Sequence, residues 1–203
     1  MRHSRSLTSN SLAAGARVCA VLVVLFLCAH VLVENSRAEE NLSEAALVRR
    51  ALDHMRSGEY TCAVIDWTQA LRLNPQLPLA YSNRGLAYAK LERYDRAISD
   101  FTRALELETN NPDTYFKRAN AFFDRGSYRE AVEDYSRAID RDPTLFRAYY
   151  NRCDARERVG EKELALQDCT RALELEPSFD PARKAVDWLS HGAQGERPCF
   201  CNF

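Results

Sequence analysis

Residues that break helices are scarce in this chain. It has seven glycines and seven prolines among 203 residues, and no low-complexity segment interrupts it. An excess of one charge is also missing, because the formal net charge is only −1. Without a strong basic field, the sequence gives no support to nucleic-acid binding. What is present is 46% apolar and 28% charged residues, an ordinary balance for one or two globular domains.

The motifs of common catalytic sites are absent as well. The sequence contains no Gly-x-Ser-x-Gly nucleophile elbow, no phosphate-cradling glycine-rich loop and no His-Glu-x-x-His metal motif. Its carboxylates are spread along solvated helical positions, and we interpret His54 as a packing residue and His191 as a helix-end residue. We therefore predict a protein that is not an enzyme and that holds neither a cofactor nor a metal ion.

A long apolar run occurs near the amino terminus. Three arginines precede the uninterrupted stretch 18–33, and Ser36 and Ala38 follow it at positions −3 and −1 of a cleavage point before Glu39. A basic start, an apolar core and small residues at the exit are typical of a secretory signal peptide. The run is shorter than the roughly 20 residues of a relaxed membrane span, so an uncleaved signal-anchor is the competing interpretation. We predict that residues 1–38 form one or the other, and that the chain is exported (periplasmic or secreted) or tethered to a membrane through residues 18–33.

Beyond this run, one pattern repeats every 34 residues. Ala97, Phe101 and Ala104 are spaced by four and three, which places them on one face of an α-helix. The same spacing occurs three more times at steps of 34, without an insertion, and predicts a helical repeat array. The other copies are Ala63, Trp67 and Ala70; Ala131, Tyr135 and Ala138; and Ala165, Cys169 and Ala172.

These copies divide the chain into four units of two helices each. Prolines near the unit ends stop the second helix, and glycines mark the turn within a unit, where a positive φ costs glycine little. We predict a solenoid over 39–191, with Asp180 as the N-cap and Pro181 as the first residue of a capping helix that ends at 191, followed by a flexible tail. The units are 44–77, 78–111, 112–145 and 146–179, the capping helix is 180–191, the tail is 192–203, and the turn glycines are Gly58, Gly126 and Gly160.

The unit resembles the tetratricopeptide repeat, whose pattern is an aromatic, a Gly or Ala, another aromatic, and then Ala, aromatic and Ala. The second unit carries it as Tyr81, Gly85, Tyr88, Ala97, Phe101 and Ala104, and the third as Tyr115, Ala119, Phe122, Ala131, Tyr135 and Ala138. The resemblance covers residues 44–179. It implies an all-α fold, namely an α-solenoid of four helix-turn-helix units with a C-terminal capping helix. It also implies a non-catalytic scaffold for protein-protein interaction.

Two charged positions follow the same period of 34. Arginine recurs at one of them and aspartate at the other. We predict that each arginine forms a structural ion pair with the aspartate of its own or the preceding unit, because a bidentate pair fixes the geometry of two helices. A charged ladder used for ligand binding is the alternative. The residues are Arg50, Arg84, Arg118 and Arg152, and Asp66, Asp100, Asp134 and Asp168.

In tetratricopeptide proteins the first helices of successive repeats line a concave groove that holds an extended peptide or a partner helix. Transferred by register, the groove of this chain is apolar toward the first unit and polar toward the fourth, which suits an amphipathic ligand. We predict a protein or peptide ligand of unknown identity, with self-association as the competing interpretation. The predicted partner-binding residues are Val48, Leu52, Asn83, Leu86, Phe116, Lys117, Asn120, Phe123, Tyr150, Asn151 and Asp154.

One branch of this family binds chaperone C-termini through a clamp of lysine, asparagine and arginine side chains. Asn120 and Asn151 have the clamp's spacing of 31, but Phe116 stands where its first lysine belongs. The later basic positions fall on Pro181 and Ala185. Because the clamp is incomplete and export would separate the chain from cytosolic chaperones, we do not predict this specificity.

Five cysteines, including Cys62, lie beyond the amino-terminal segment. Cys153 and Cys169 occupy helix-facing positions of the fourth unit, where we favour two buried thiols over a disulfide, which requires Cα atoms within about 7 Å. Cys199 and Cys201 lie in the tail. A thiol-active or metal-binding protein that uses this Cys-Phe-Cys sequence is our alternative function, although no companion His or Cys cluster supports a structural zinc site there.

Overall fold

A computed structural model describes residues 43–191 of the chain, and these residues form nine α-helices and no strand. Successive helices pack against each other, and the first helices of neighbouring units also touch from the second unit to the fourth. The predicted all-α fold, an α-solenoid of four helical pairs with a C-terminal helix, is confirmed. The helices are α1 (Glu44–Arg56), α2 (Tyr60–Leu73), α3 (Pro78–Lys90), α4 (Tyr94–Leu107), α5 (Pro112–Asp124), α6 (Tyr128–Arg141), α7 (Phe146–Arg158), α8 (Lys162–Leu175) and α9 (Asp180–Ser190).

The core consists of small residues around one large side chain per unit. The alanines of the repeated triplets are buried, which lets the helices of a pair approach closely. Trp67, Phe101 and Tyr135, the large residues of the first three units, have no exposed surface. In the second unit the approach is close enough that a Cβ atom added at Gly85 would lie 3.0 Å from the ring of Phe101.

The turn within each unit needs one residue in the left-handed region of backbone conformation. Gly58, Gly126 and Gly160 occupy it with φ values of +74°, +88° and +88°, as the sequence predicts. In the second unit Glu92 stands at this position with a φ of +57°. A residue with a Cβ atom is strained there, because the side chain crowds the following carbonyl.

The fourth unit replaces the large aromatic residue by a covalent bond. Cys169 stands where the other units have their aromatic side chain, and Cys153 stands at the position of Gly85 and Ala119. The two cysteines form a disulfide with Cα atoms 5.5 Å apart, and both are fully buried. The prediction of two thiols is therefore wrong. The close approach that seats a ring against a small residue also brings two cysteines within bonding distance.

The last helix, α9, covers the apolar face that the fourth unit leaves open. Ala182 and Ala185 are fully buried, and Val186 and Leu189 pack against the same core, as the sequence predicts.

The start of α9 differs from the prediction. The helix begins at Asp180, which precedes Pro181, and Phe179 takes the N-cap position without a side-chain capping bond. Asp180 does not cap because its carboxylate pairs with Arg183 one turn later, at 2.6 Å.

Residues 1–42 and 192–203 lie outside the described part of the chain. The signal segment, with its cleavage or anchoring, and the tail cysteines Cys199 and Cys201 therefore stay predictions. Between residues 43 and 191, no helix has the length and apolar content that crossing a membrane requires.

Candidate protein-binding groove

Four arginine-aspartate pairs join the first helix of each unit to its second. In the third unit, Nε and Nη2 of Arg118 donate to the two oxygens of Asp134 at 2.6 and 2.9 Å, and Asp134 has no exposed surface. The other units repeat this bidentate geometry, so the predicted ion pairing is confirmed and falls within each unit. The remaining pairs are Arg50–Asp66, Arg84–Asp100 and Arg152–Asp168.

Three of these arginines also bond to the unit before their own. The third guanidinium nitrogen donates to a hydroxyl on the preceding second helix. Burial opposes the charge of Arg84, but its hydrogen bonds and attraction to Asp100 outweigh that effect and raise its pKa above the ordinary value. The arginines thus use their hydrogen-bond donors for bonds to neighbouring helices of the same chain, which favours the structural interpretation over ligand binding. The bonds are Arg84 to Thr68 at 3.1 Å, Arg118 to Thr102 at 2.9 Å and Arg152 to Ser136 at 2.8 Å.

A hollow of about 430 Å³ lies at the amino-terminal end of the groove. Its apolar lining comes from α1, from the α2–α3 connection and from the first turn of α3, and three charged residues complete it. Leu79 is 52% exposed, so folding of the described chain leaves this large apolar side chain uncovered. The lining residues are Ala45, Val48, Leu52, Leu77 and Leu79, with Glu44, Arg49 and Arg56.

Sequence reasoning found Val48 and Leu52 in this hollow but missed the two leucines on its other side. The predicted groove residues lie within the first helices, whereas Leu77 and Leu79 lie at the start of α3. A signal was present, because the positions equivalent to Leu79 in the third and fourth units are the charged residues Asp113 and Arg147.

In the second and third units the predicted groove residues are partly buried and in contact with their own chain. Leu86 packs against the core around Phe101. The amide of Asn83 donates to the carbonyl of Leu79 at 3.0 Å. The other contacts are a Lys117–Asp113 ion pair at 2.5 Å, Phe116 against Tyr135 with ring centroids 5.9 Å apart, and Phe123 against Tyr128 at 5.2 Å.

At the far end, the structure buries the groove residues of the fourth unit. Tyr150, Asn151 and Asp154 are only 1%, 3% and 2% exposed. Tyr150, a predicted partner-binding residue, does not face solvent, because Phe179, which precedes α9, packs edge-on against its ring at 5.0 Å. This covering residue gave no sequence signal, since the register of the groove ends with the fourth unit.

Asn120 and Asn151 also turn toward each other instead of toward solvent. The amide nitrogen of Asn151 donates to Oδ1 of Asn120 at 3.0 Å, and the hydroxyl of Tyr135 donates to the same oxygen at 2.6 Å. This network links the third unit to the fourth.

Comparisons with known proteins agree with this architecture. A tetratricopeptide repeat model matches residues 78–111, and a second TPR repeat model matches 52–92 and 119–160. The structure of MamA residues 41-end from Desulfovibrio magneticus RS-1 superposes with a TM-score of 0.70 at 19% identity, covering 73% of this chain and 84% of that one.

Two further solved structures are more similar in sequence. The first TPR of Spaghetti (RPAP3) bound to the HSP90 peptide SRMEEVD has a TM-score of 0.56 at 29% identity, and covers 58% of this chain and 94% of that one. The Arabidopsis OM64 TPR domain has a TM-score of 0.55 at 29% identity, and covers 57% and 95%. No curated protein sequence matches. With four registered helical pairs and family models that match about half of its residues, the chain belongs to the tetratricopeptide repeat family.

Proposed function

We propose that this protein-interaction scaffold binds an extended peptide or an amphipathic helix of a partner protein along its groove, and that it performs no chemistry of its own. The main anchor is an apolar side chain of the ligand, seated in the hollow between α1 and the start of α3. The observation that carries the proposal is this hollow, whose apolar lining includes the 52% exposed Leu79. Covering exposed apolar surface favours association, and a preformed wall limits the entropy lost on binding.

The charges around the hollow suit an amphipathic ligand. Glu44, Arg49 and Arg56 lie beside the apolar lining, so polar groups of a ligand can pair there while its apolar side chain is buried. The similar RPAP3 domain was solved with a bound peptide, which supports a peptide as the kind of ligand.

The ligand specificity differs from that of a clamp for a C-terminal carboxylate. The amide nitrogen of Asn151 and Oδ1 of Asn120 are already bonded to each other, and Asn151 is buried. Using them for a carboxylate would break a network that joins two units.

Panning a library of random 12-residue peptides against residues 39–203 tests the proposal. We expect the recovered peptides to contain a large apolar residue and to lose at least about tenfold in affinity, or about 1.4 kcal/mol, to the Leu52→Glu variant, which places a carboxylate in the hollow. Leu164→Glu is the matched control, because Leu164 is 41% exposed but lies on a second helix. Equal affinity of both variants for the recovered peptides would refute the proposal that the ligand binds in this groove. Circular dichroism verifies that both variants fold.

Replacing the predicted partner-binding residue Tyr150 by alanine would be a poor test of this groove. Tyr150 belongs to the core of the fourth unit, so its removal would measure folding rather than binding.

We further propose that the chain works outside the cytosol, after signal cleavage or while tethered by residues 18–33. The sequence pattern of residues 1–38 and the buried Cys153–Cys169 disulfide support this, because disulfides persist in oxidising compartments. Expressing the full chain in a secreting host and sequencing the amino terminus of the product tests it. A new terminus at Glu39 would indicate cleavage, an intact chain in the membrane fraction would indicate tethering, and an intact cytosolic chain would refute both.

A further inference from the structure

A cluster of metal-ligating atoms lies at the turn between α1 and α2. His54 lies in the last turn of α1, Glu59 directly precedes α2, and Cys62 lies in the first turn of α2. A ring nitrogen of His54, a carboxylate oxygen of Glu59 and Sγ of Cys62 all lie within 4.8 Å of one another. Among residues 43–191 no other group combines three such ligands in this way. His54 is half-buried, whereas Glu59 and Cys62 are exposed, so an ion can reach the cluster from solvent.

The imidazole of His54 lies between two carboxylates. Its Nδ1 is 2.6 Å from Oε2 of Glu59, and its Nε2 is 3.5 Å from Oδ2 of Asp66. Asp66 is buried, and Arg50 fixes it through a bidentate pair. A histidine that ligates a metal through one nitrogen commonly faces a carboxylate with the other, which holds the ring in the orientation for binding. Asp66 is placed for this supporting role.

The repeats provide an internal comparison. The positions equivalent to His54, Glu59 and Cys62 never combine the same ligands in the other units. The second unit has Tyr88, Arg93 and Arg96; the third has Phe122, Ser127 and Glu130; the fourth has Arg156, Glu161 and Leu164. In the fourth unit Arg156 lies between Glu161 and Asp168, so a basic side chain between two carboxylates recurs in the repeat. The thiol of Cys62 beside such a pair occurs in the first unit alone, where histidine also replaces arginine as a possible metal ligand.

We propose that His54, Glu59 and Cys62 form a binding site for a divalent transition-metal ion, of which Zn²⁺ fits best. Imidazole, thiolate and carboxylate are its usual protein ligands, and tetrahedral coordination places the ligand atoms about 3.3–3.6 Å apart. Small rotations of the exposed Glu59 and Cys62 side chains bring the cluster to that spacing. The ion displaces two protons to solvent, the one between His54 and Glu59 and the thiol proton of Cys62, and water takes the fourth position.

Titration of the full chain with Co²⁺, as a spectroscopic substitute for Zn²⁺, tests this proposal in the absence of added thiols. We expect one equivalent of Co²⁺ to bind with a thiolate-to-cobalt charge-transfer band in the near ultraviolet, and Zn²⁺ to abolish the band by displacement. The Cys62→Ser variant should lose the band. The His54→Gln variant should bind at least about tenfold more weakly, because it lacks a ligand.

The matched control is Cys199→Ser/Cys201→Ser, which removes the tail thiols and leaves the cluster intact. We expect this variant to keep the band. A band that survives in Cys62→Ser but disappears in the tail variant would overturn the proposal, as would the absence of any band in the full chain. Circular dichroism shows whether each variant folds, and the exposed position of Cys62 lets serine replace it without disturbing the core.

Discussion

At the scale of single residues, Glu92 is the clearest place where this chain departs from its own repeat. It occupies the left-handed turn position that glycine fills in the other three units. Nothing in the described structure requires a side chain at this turn, so a substitution by glycine can remove the backbone strain.

Replacing Glu92 by glycine should stabilise the protein by about 0.5–1 kcal/mol. The left-handed conformation costs a residue with a Cβ atom about 1–2 kcal/mol, and the greater freedom of glycine in the unfolded chain offsets part of that gain. Urea unfolding measures the change. Glu92→Ala is the control, because it removes the carboxylate but keeps the Cβ atom, and it should give no gain. An equal gain in both variants would assign the effect to charge.

Tyr135 should make the free energy of unfolding fall at alkaline pH. Burial raises its pKa well above the ordinary value of 10.0 and outweighs the lowering effect of a hydrogen bond from Asn151. Below pH 10 the hydroxyl is protonated in both the folded and the unfolded chain. Above it, only the unfolded chain releases the proton, so the free energy of unfolding should fall by up to about 1.4 kcal/mol per pH unit until the folded pKa is reached.

The Tyr135→Phe variant should lose this part of the alkaline slope, although it also loses the hydrogen bond to Asn120. Unfolding curves between pH 9 and about pH 11.5 measure it. Tyr115→Phe serves as the control because Tyr115 is only partly buried, and it should keep the slope of the parent chain. Identical slopes for the two variants would contradict the assignment.

At the scale of helices and turns, the fourth unit shows two solutions to one packing problem. In the third unit Ala119 makes room for Tyr135, and in the fourth Cys153 and Cys169 fill the same space with a disulfide. A bond between residues 16 apart restricts the conformations of the unfolded chain, so it should stabilise the folded protein by about 3 kcal/mol.

Exchanging the fourth-unit pair for that of the third tests this equivalence. Cys153→Ala/Cys169→Ala should lose the covalent restraint and leave a cavity, whereas Cys153→Ala/Cys169→Tyr should recover part of the loss by filling the space. Thermal unfolding compares the two variants with the parent chain. If the alanine and tyrosine variants unfold at the same temperature, the site does not accept the aromatic packing of the other units.

Sequence alone predicted the helical pairs and the Arg–Asp pairing, because a fixed period of 34 residues forces equivalent positions into equivalent contacts. The prediction from sequence failed where the period ends, or where equivalent positions of the four units hold different residues. Tyr150 is buried by Phe179, which lies beyond the last unit. The leucines of the hollow lie at a helix start that differs from unit to unit, and the disulfide depends on a Cα distance that spacing alone does not give.

At the scale of the whole molecule, the ion pairs differ in burial along the array. Asp134 is fully buried and accepts bonds from both Arg118 and Arg137, whereas the Arg50 partner of Asp66 is 39% exposed. Loss of a carboxylate is costly where its guanidinium partner stays buried, and cheaper where water can solvate that partner.

Asp134→Asn should therefore destabilise the protein by about 3 kcal/mol, and Asp66→Asn by about 1 kcal/mol. Unfolding in urea is the suitable measurement, because an ionic denaturant such as guanidinium chloride would screen the ion pairs. The Asp66 variant is the matched comparison at the exposed end of the array. Losses of equal size would show that burial of the arginine does not set the cost.

Each inner arginine reaches 16 residues back to a hydroxyl and 16 residues forward to a carboxylate, as in Thr68–Arg84–Asp100. Deleting or duplicating the third unit (residues 112–145) would leave each inner arginine that remains with two equivalent acceptors, a hydroxyl on one side and a carboxylate on the other. A deletion whose length is not a multiple of 34 residues would leave an arginine at the join without one of its two acceptors. The array can thus lengthen or shorten by this inner unit, while the amino-terminal hollow and the disulfide-bearing end stay unchanged.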